Sequence, residues 1–245
     1  MKNYKLTLCY DGTRYNGWQK QGNTKNTIQE KIEALLTRLL GRETEVAGSG
    51  RTDAGVHAYA QVCSFRAESE MSCDELLSQI RRYLPEDIGA ISLETVPERF
   101  HARLSARSKT YIYRIWTGTA PNVFERKYLY FVDVLPDIDK MRQAAQTLTG
   151  EHDFSSFCAN SRMKKSAVRV LESIEIARLG NEIRFTLTGS GFLYNMVRII
   201  VGTLLEVGWG KRPVESVKAA LEAKSRVMAG FTAPPQGLSL YEIKY

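Results

Sequence analysis

Strand and helix signals alternate along this chain, and the alternation runs through twice. Residues 5–10 alternate polar and apolar, the pattern of a half-buried strand, and Asp11-Gly12 ends it with turn residues. Thr27-Ile28-Gln29-Glu30 predicts a capping box that opens a helix to about Leu40, stopped by Gly41. Ile28, Ile32, Leu35, Leu36 and Leu39 give that helix one apolar stripe. Residues 44–47 and 58–66 read as strands around a glycine-rich loop. Ser72-Cys73-Asp74-Glu75 predicts a second capping box, stapled by Met71 and Leu76, on a helix ending near Pro85. Residues 88–96 and 108–116 read as further strands.

The second half has a similar rhythm. It predicts a helix over 137–148 and strands over 171–178 and 182–187, joined by Gly180-Asn181. An apolar helix over 192–207, a Pro-initiated helix over 213–223 and a closing strand over 238–245 follow. No period of 20 to 50 residues recurs, so the chain is not a solenoid. Residues 117–127 and 227–237 hold Pro and Gly and read as loops. The boundary between halves is placed near Gly118, giving units 1–117 and 118–245.

A chain of 245 residues, 43% hydrophobic and 25% charged, is composed like a globular protein and excludes disorder, collagen and coiled coil. Cys9, Cys63, Cys73 and Cys158 are too scattered for a disulfide framework and read as reduced side chains of a cytoplasmic protein. Neither they nor His57, His101 and His152 have zinc spacing, so no metal is expected. The first ten residues lack the apolar core of a signal peptide. Asn195, Arg198 and Glu206 interrupt the most apolar stretch, so no membrane span is expected.

The net charge of +7 favours an anionic partner. Arg99, Arg103, Arg107, Lys109 and Arg114 carry five positive charges with no acid between them, and Arg162, Lys164, Lys165 and Arg169 carry four more. These nine exceed the net charge of the whole chain, so the surplus is focused in two segments. Phe100, Tyr111, Tyr113, Trp116, Phe154 and Phe157 lie among or beside them. Basic groups bind phosphates and aromatic faces stack on exposed bases, which favours RNA or single strands. The alternative is solvated charge with aromatics in the core.

Gly48-Ser49-Gly50-Arg51-Thr52-Asp53-Ala54-Gly55-Val56-His57-Ala58 is the most informative stretch. Asp53 stands where a dinucleotide loop needs its third glycine, and no Gly-Lys-Ser/Thr makes it a phosphate loop. Three glycines around one carboxylate let a ligand approach the backbone closely. A cation at Arg51, within ~4 to 6 Å, would hold Asp53 ionised, ready to act as nucleophile or general base. The alternative is a plain turn with a surface Arg–Asp pair.

Gly50-Arg51-Thr52-Asp53-Ala54-Gly55-Val56-His57 resembles the catalytic signature of the tRNA pseudouridine synthase A family. Tyr10-Asp11-Gly12 with Tyr15, Gly17, Trp18 and Gln19 resembles its opening motif. Phe100-His101-Ala102-Arg103 resembles its RNA-contacting segment, and Lys109-Thr110-Tyr111 its tyrosine motif. Asp153-Phe154-Ser155-Ser156-Phe157, Met196-Val197-Arg198 with Gly202, and Gly237-Leu238 resemble later blocks, in order. Ser239 departs from the pattern, where an aromatic is expected.

The resemblance implies an α/β (α+β) fold of two ferredoxin-like halves that form one central antiparallel sheet flanked by helices, with the second half completing a cleft. It implies a cofactor-independent isomerase that converts uridine to pseudouridine in the tRNA anticodon stem-loop, at positions 38 to 40. Asp53 is implied as the essential carboxylate, attacking C1′ or the base, or deprotonating C2′ to give a glycal. Arg51 and Arg198 are implied beside Asp53, with Tyr111 and Leu238 around the flipped base. Arg99, His101, Arg103, Arg107 and Lys109 are implied on the RNA backbone, and the protein is implied to be a homodimer. His57 and His152 read as structural. Two other classes compete: a noncatalytic RNA-binding module, which needs no carboxylate in the loop, and a hydrolytic RNA enzyme, which needs paired carboxylates or a metal cluster.

Overall fold

The computed structural model describes residues 1–160, 163 and 165–245. Arg162 and Lys164 of the second basic segment lie outside the described residues. In chain order the elements are β1 (Lys2–Tyr10), α1 (Ile28–Leu40), β2 (Ala47–Gly48), β3 (His57–Ala67), α2 (Cys73–Tyr83) and β4 (Ile88–Val96). Then come β5 (Ser108–Trp116), β6 (Tyr130–Phe131), α3 (Ile138–Gln146), β7 (Gly150–Asp153), β8 (Val168–Leu179) and β9 (Glu182–Gly189). α4 (Met196–Gly208), α5 (Ser216–Ala223) and β10 (Leu238–Lys244) close the chain. The chain divides into two compact units, Met1–Arg107 with Ser239–Tyr245, and Ser108–Leu238. The division falls ten residues before the expected boundary, and the C-terminal strand returns to the first unit. Turn composition at Gly118 marks the end of a strand rather than the end of a unit.

In the first unit β1 pairs antiparallel with β3 on one side and β4 on the other, and β2 pairs with β3. The order β4-β1-β3-β2 is that of a ferredoxin-like βαββαβ unit. Ser239 and Leu240 of β10 pair in parallel with His57 and Ala58. The expected Ser239 departure therefore sits on a buried strand position. Tyr4, Leu6 and Leu8 of β1, Ile28, Ile32 and Leu36 of α1 and Leu76 and Ile80 of α2 are all buried and belong to the core.

Both helix starts in this unit follow from their sequences, though not equally. At α2 the box is complete: Glu75 N donates to Ser72 Oγ at 3.2 Å and Ser72 N to Glu75 Oε2 at 2.8 Å. At α1 only half forms. Glu30 N donates to Thr27 Oγ1, while the Glu30 carboxylate turns to Lys20 Nζ at 3.6 Å. Gly41 ends α1 at φ 69°, a left-handed conformation that costs glycine nothing.

The second unit has the order β5-β9-β8-β7, all antiparallel, with β6 parallel to the end of β5. Its β8 and β9 are joined by a hairpin, and α4 and α5 both follow the sheet. It is therefore a variation on the first unit rather than a copy. Tyr113, Phe154, Phe157 and Phe185 are fully buried, as is most of α4. An all-round apolar helix has to be surrounded. The helix begins four residues later than expected, because Asn195 takes φ 60° and breaks the apolar run before Met196.

Candidate functional site

Asp53 sits on the loop between β2 and β3, half-buried, and the segment after β1 is folded against that loop. Trp18 N donates to Thr52 O at 3.0 Å, and Gly55 N to Tyr15 O at 3.3 Å. Gly17 adopts φ 87°, and a Cβ there would stand 2.6 Å from Thr52 O and 3.1 Å from the Asp53 carbonyl carbon. Its glycine is required twice, by conformation and by approach. A Cβ on Gly12 would collide with the Val56 carbonyl oxygen, and one on Gly48 with the Trp18 indole. The opening motif thus acts as a clamp on the Asp53 loop.

A second set of contacts holds the loop from behind. Gln61 on β3 is fully buried. Its Oε1 accepts from Ser49 Oγ at 2.6 Å, and its Nε2 donates to Gly50 O at 3.0 Å and to Tyr10 Oη at 3.4 Å. Tyr10 Oη lies 2.8 Å from Thr52 Oγ1. Burial pushes the Tyr10 phenol up, so it stays protonated. Sequence reasoning missed Gln61. The signal available was a polar amide in phase with Cys63 and Phe65, the positions that alternation turns inward.

Arg51 lies two residues from Asp53, exposed, with its Nε donating to Gln19 Oε1 at 3.1 Å. That contact gives Gln19 of the opening motif a definite task. His57 is buried, its Nδ1 3.0 Å from the Gly12 amide and 3.2 Å from Asp11 Oδ1. It ties the clamp to the start of β3.

In the second unit, Tyr111 on β5 is 6% exposed and its ring meets Phe192 edge-on, with centroids 5.0 Å apart. Arg198, near the start of α4, donates from Nε to Ala233 O at 2.7 Å and from Nη1 to Asn195 Oδ1 at 2.8 Å. Ala233 N returns a bond to Arg198 O at 3.0 Å. Residues 229–237 are thereby strapped onto α4, with further bonds from Gly230 N to Thr203 Oγ1 and from Phe231 N to Glu206 Oε1. Tyr113 Oη donates to Pro234 O at 2.8 Å. The strap delivers Leu238, buried, at its end.

The basic segments divide in the structure. Arg99, Arg103 and Arg107 are exposed and Lys109 is half-buried on β5. His101 is half-buried and also closes a turn: its Nδ1 accepts from Arg103 N at 3.1 Å and Leu104 N at 3.4 Å. Arg114 is withdrawn into ion pairs, 2.8 Å from Glu182 Oε2 and 3.0 Å from Glu125 Oε1. Of the interspersed aromatics, Tyr113, Phe154 and Phe157 are core residues and Phe100 packs on Tyr245 at 5.0 Å. The three core rings are not stacking platforms, because a strand or turn aromatic beside a hydrophobic core buries itself there. Arg169 bonds the nearby Ser166 and Val168 carbonyls. His152 Nε2 lies 3.0 Å from Thr149 O.

Among the described residues no group of three or more His, Cys, Asp or Glu is placed to hold a metal ion, and no helix is long and apolar enough to cross a membrane. The four cysteines are free thiols.

A family model described as tRNA pseudouridine synthase matches residues 8–104 and 144–245. This chain belongs to the tRNA pseudouridine synthase family. The matched segments include the clamp, the Asp53 loop, Arg198 and Leu238, and leave out Arg107, Lys109 and Tyr111. The tRNA pseudouridine synthase A of Bacillus sp. (strain KSM-64) is 46% identical over 100% of both chains. The tRNA pseudouridine synthase A 2 of Bacillus anthracis is 42% identical over 100% of both. A solved Cbf5-Nop10-Gar1 complex aligns over 97% of this chain and 48% of that one, at 13% identity and a TM-score of 0.39, too faint a likeness to bear on function.

Proposed function

We propose that this chain isomerises uridine to pseudouridine in the tRNA anticodon stem-loop, at positions 38 to 40, with Asp53 as the essential carboxylate. The observation that carries this reading is the clamped loop: glycine geometry, backbone bonds and a buried amide all converge on the residues flanking one half-buried carboxylate. Substrate and product contain the same atoms at the same oxidation level. The N1–C1′ bond breaks, the base turns, a C5–C1′ bond forms and the C5 proton leaves for N1. No redox partner or co-substrate is consumed, so a positioned carboxylate and a site that holds the detached base are enough.

A uridine within a stem must leave its stack, at a cost of a few kcal/mol. We assign Tyr111, Arg51, Arg198 and Leu238 to receiving it, with Phe192 fixing the Tyr111 ring. Arg99, Arg103, Arg107 and Lys109 meet phosphates. His101 shapes the turn that presents Arg103. The protein acts as a homodimer in the cytoplasm.

The test is incubation of unmodified tRNA with the wild type and with Asp53→Asn, followed by pseudouridine mapping at single-nucleotide resolution. The expected result is modification within positions 38–40 by the wild type, and none by the variant although it still binds tRNA. Substantial product from Asp53→Asn overturns the assignment of the carboxylate. Product confined to other positions overturns the assignment of the substrate site.

A further inference from the structure

We infer that Gln61 is a positioning residue for Asp53, setting the height of the loop through three of the four residues that precede the carboxylate. The inference rests on the isomerase reading above and deepens it.

Gln61 is fully buried on β3, and its carboxamide has both an acceptor and donors in use. The Gly50 carbonyl can only accept, which fixes Nε2 toward it and Oε1 toward the Ser49 hydroxyl. Ser49 is held a second time, its amide donating to Val62 O at 2.8 Å. Nε2 also reaches Tyr10 Oη, which shares a 2.8 Å hydrogen bond with Thr52 Oγ1. One amide therefore fixes Ser49 and Gly50 directly and Thr52 through Tyr10. Arg51, the remaining residue before Asp53, is held separately by Gln19.

The clamp and the amide restrain different things. Gly12, Gly17 and Trp18 press on the loop backbone by close approach and set how near it lies to the segment after β1. The amide network sets its depth over β3. Polar bonds in a buried site are exacting: each unmet partner is costly, so the loop has one well-defined resting place. A catalytic group displaced by about 1 Å can lose about a hundredfold in rate with little change in binding. Gln61 touches no reacting atom, and its effect reaches the chemistry through Asp53.

The experiment compares wild type, Gln61→Leu and Ser49→Ala with unmodified tRNA, measuring kcat and KM per folded protein well below each variant's melting temperature. For Gln61→Leu the expected result is a ten- to hundredfold fall in kcat with KM for tRNA within threefold of wild type. Ser49→Ala, which removes one hydroxyl and keeps the fold if Gln61→Leu does not, is expected to lower kcat about threefold or more at unchanged KM. Adding Tyr10→Phe to Gln61→Leu is expected to lower kcat no further, because the phenol's orientation already depends on the amide. A kcat within twofold of wild type in the folded variants, a parallel change in kcat and KM, or full additivity with Tyr10→Phe overturns the inference. Failure of the wild type to form pseudouridine would instead overturn the isomerase reading, so the two failures are distinguishable.

Discussion

The loop at residues 48–57 and the basic stretch at residues 99–114 look comparably suggestive along the sequence, and the structure treats them differently. In the loop nearly every residue singled out by type is used: Gly48 admits Trp18, Asp53 sits between two sets of restraints, and His57 anchors the clamp. In the basic stretch the signal disperses. Arg114 is neutralised by Glu182 and Glu125, which stand 68 and 11 residues away in sequence, His101 caps its own turn, and Tyr113 is core. A glycine that must admit a neighbouring backbone is a statement about geometry and survives folding. A run of charge is a statement about composition, and distant acids can cancel it.

Five experiments would break or sharpen that contrast. The largest effect is expected for Asp53→Asn, with pseudouridine formation abolished and tRNA binding retained, read by product mapping and filter binding. Next is Gly17→Ala. Its Cβ would stand 2.6 Å from Thr52 O at φ 87°, so kcat should fall at least tenfold and stability by about 2 kcal/mol. A variant with wild-type kcat would show that the clamp does not matter.

Arg114→Ala should cost about 2–3 kcal/mol in urea denaturation, because Glu182 keeps its burial and loses its best partner. The salt dependence of its tRNA binding should match wild type; a shallower slope would return Arg114 to the RNA-binding set. The same pair predicts a pH effect. Burial is the largest single influence on Glu182 and pushes its carboxyl up, but Arg114 and Arg184 together outweigh it and hold it below its usual 4.5. A depressed folded value means the stabilisation is present above the unfolded range near 4.5 and is lost as pH falls through the folded value. Glu182→Gln should therefore melt below wild type at neutral pH, with the difference shrinking on acidification below about pH 4.5. The smallest effect is expected for Arg103→Ala: severalfold weaker tRNA binding and a salt slope reduced by about 1, with kcat unchanged at saturation.

The elements most legible in the sequence are those whose signals are local. β4 and β5 match their predicted bounds because alternation and flanking turns lie within the strands themselves. α2 begins where its capping box says, since both partners are three residues apart. β7 escaped because Gly-Glu-His-Asp carries no alternation, and only its partner β8 makes it a strand. The second half's similar rhythm concealed a different strand order, because hairpin and crossover connections can have similar element lengths.

The sequence by itself pointed to the mixed α/β class through periodicity and turn chemistry, and to the family and Asp53 through the resemblance of its ordered motifs, because all of these are properties of neighbours along the chain. Only the tertiary structure decided what holds Asp53. Gln61, Tyr10, Gly17 and Trp18 reach the loop from strands and turns up to 42 residues away. Buried polar groups must find partners wherever the fold brings them, and no local pattern records which partner that will be.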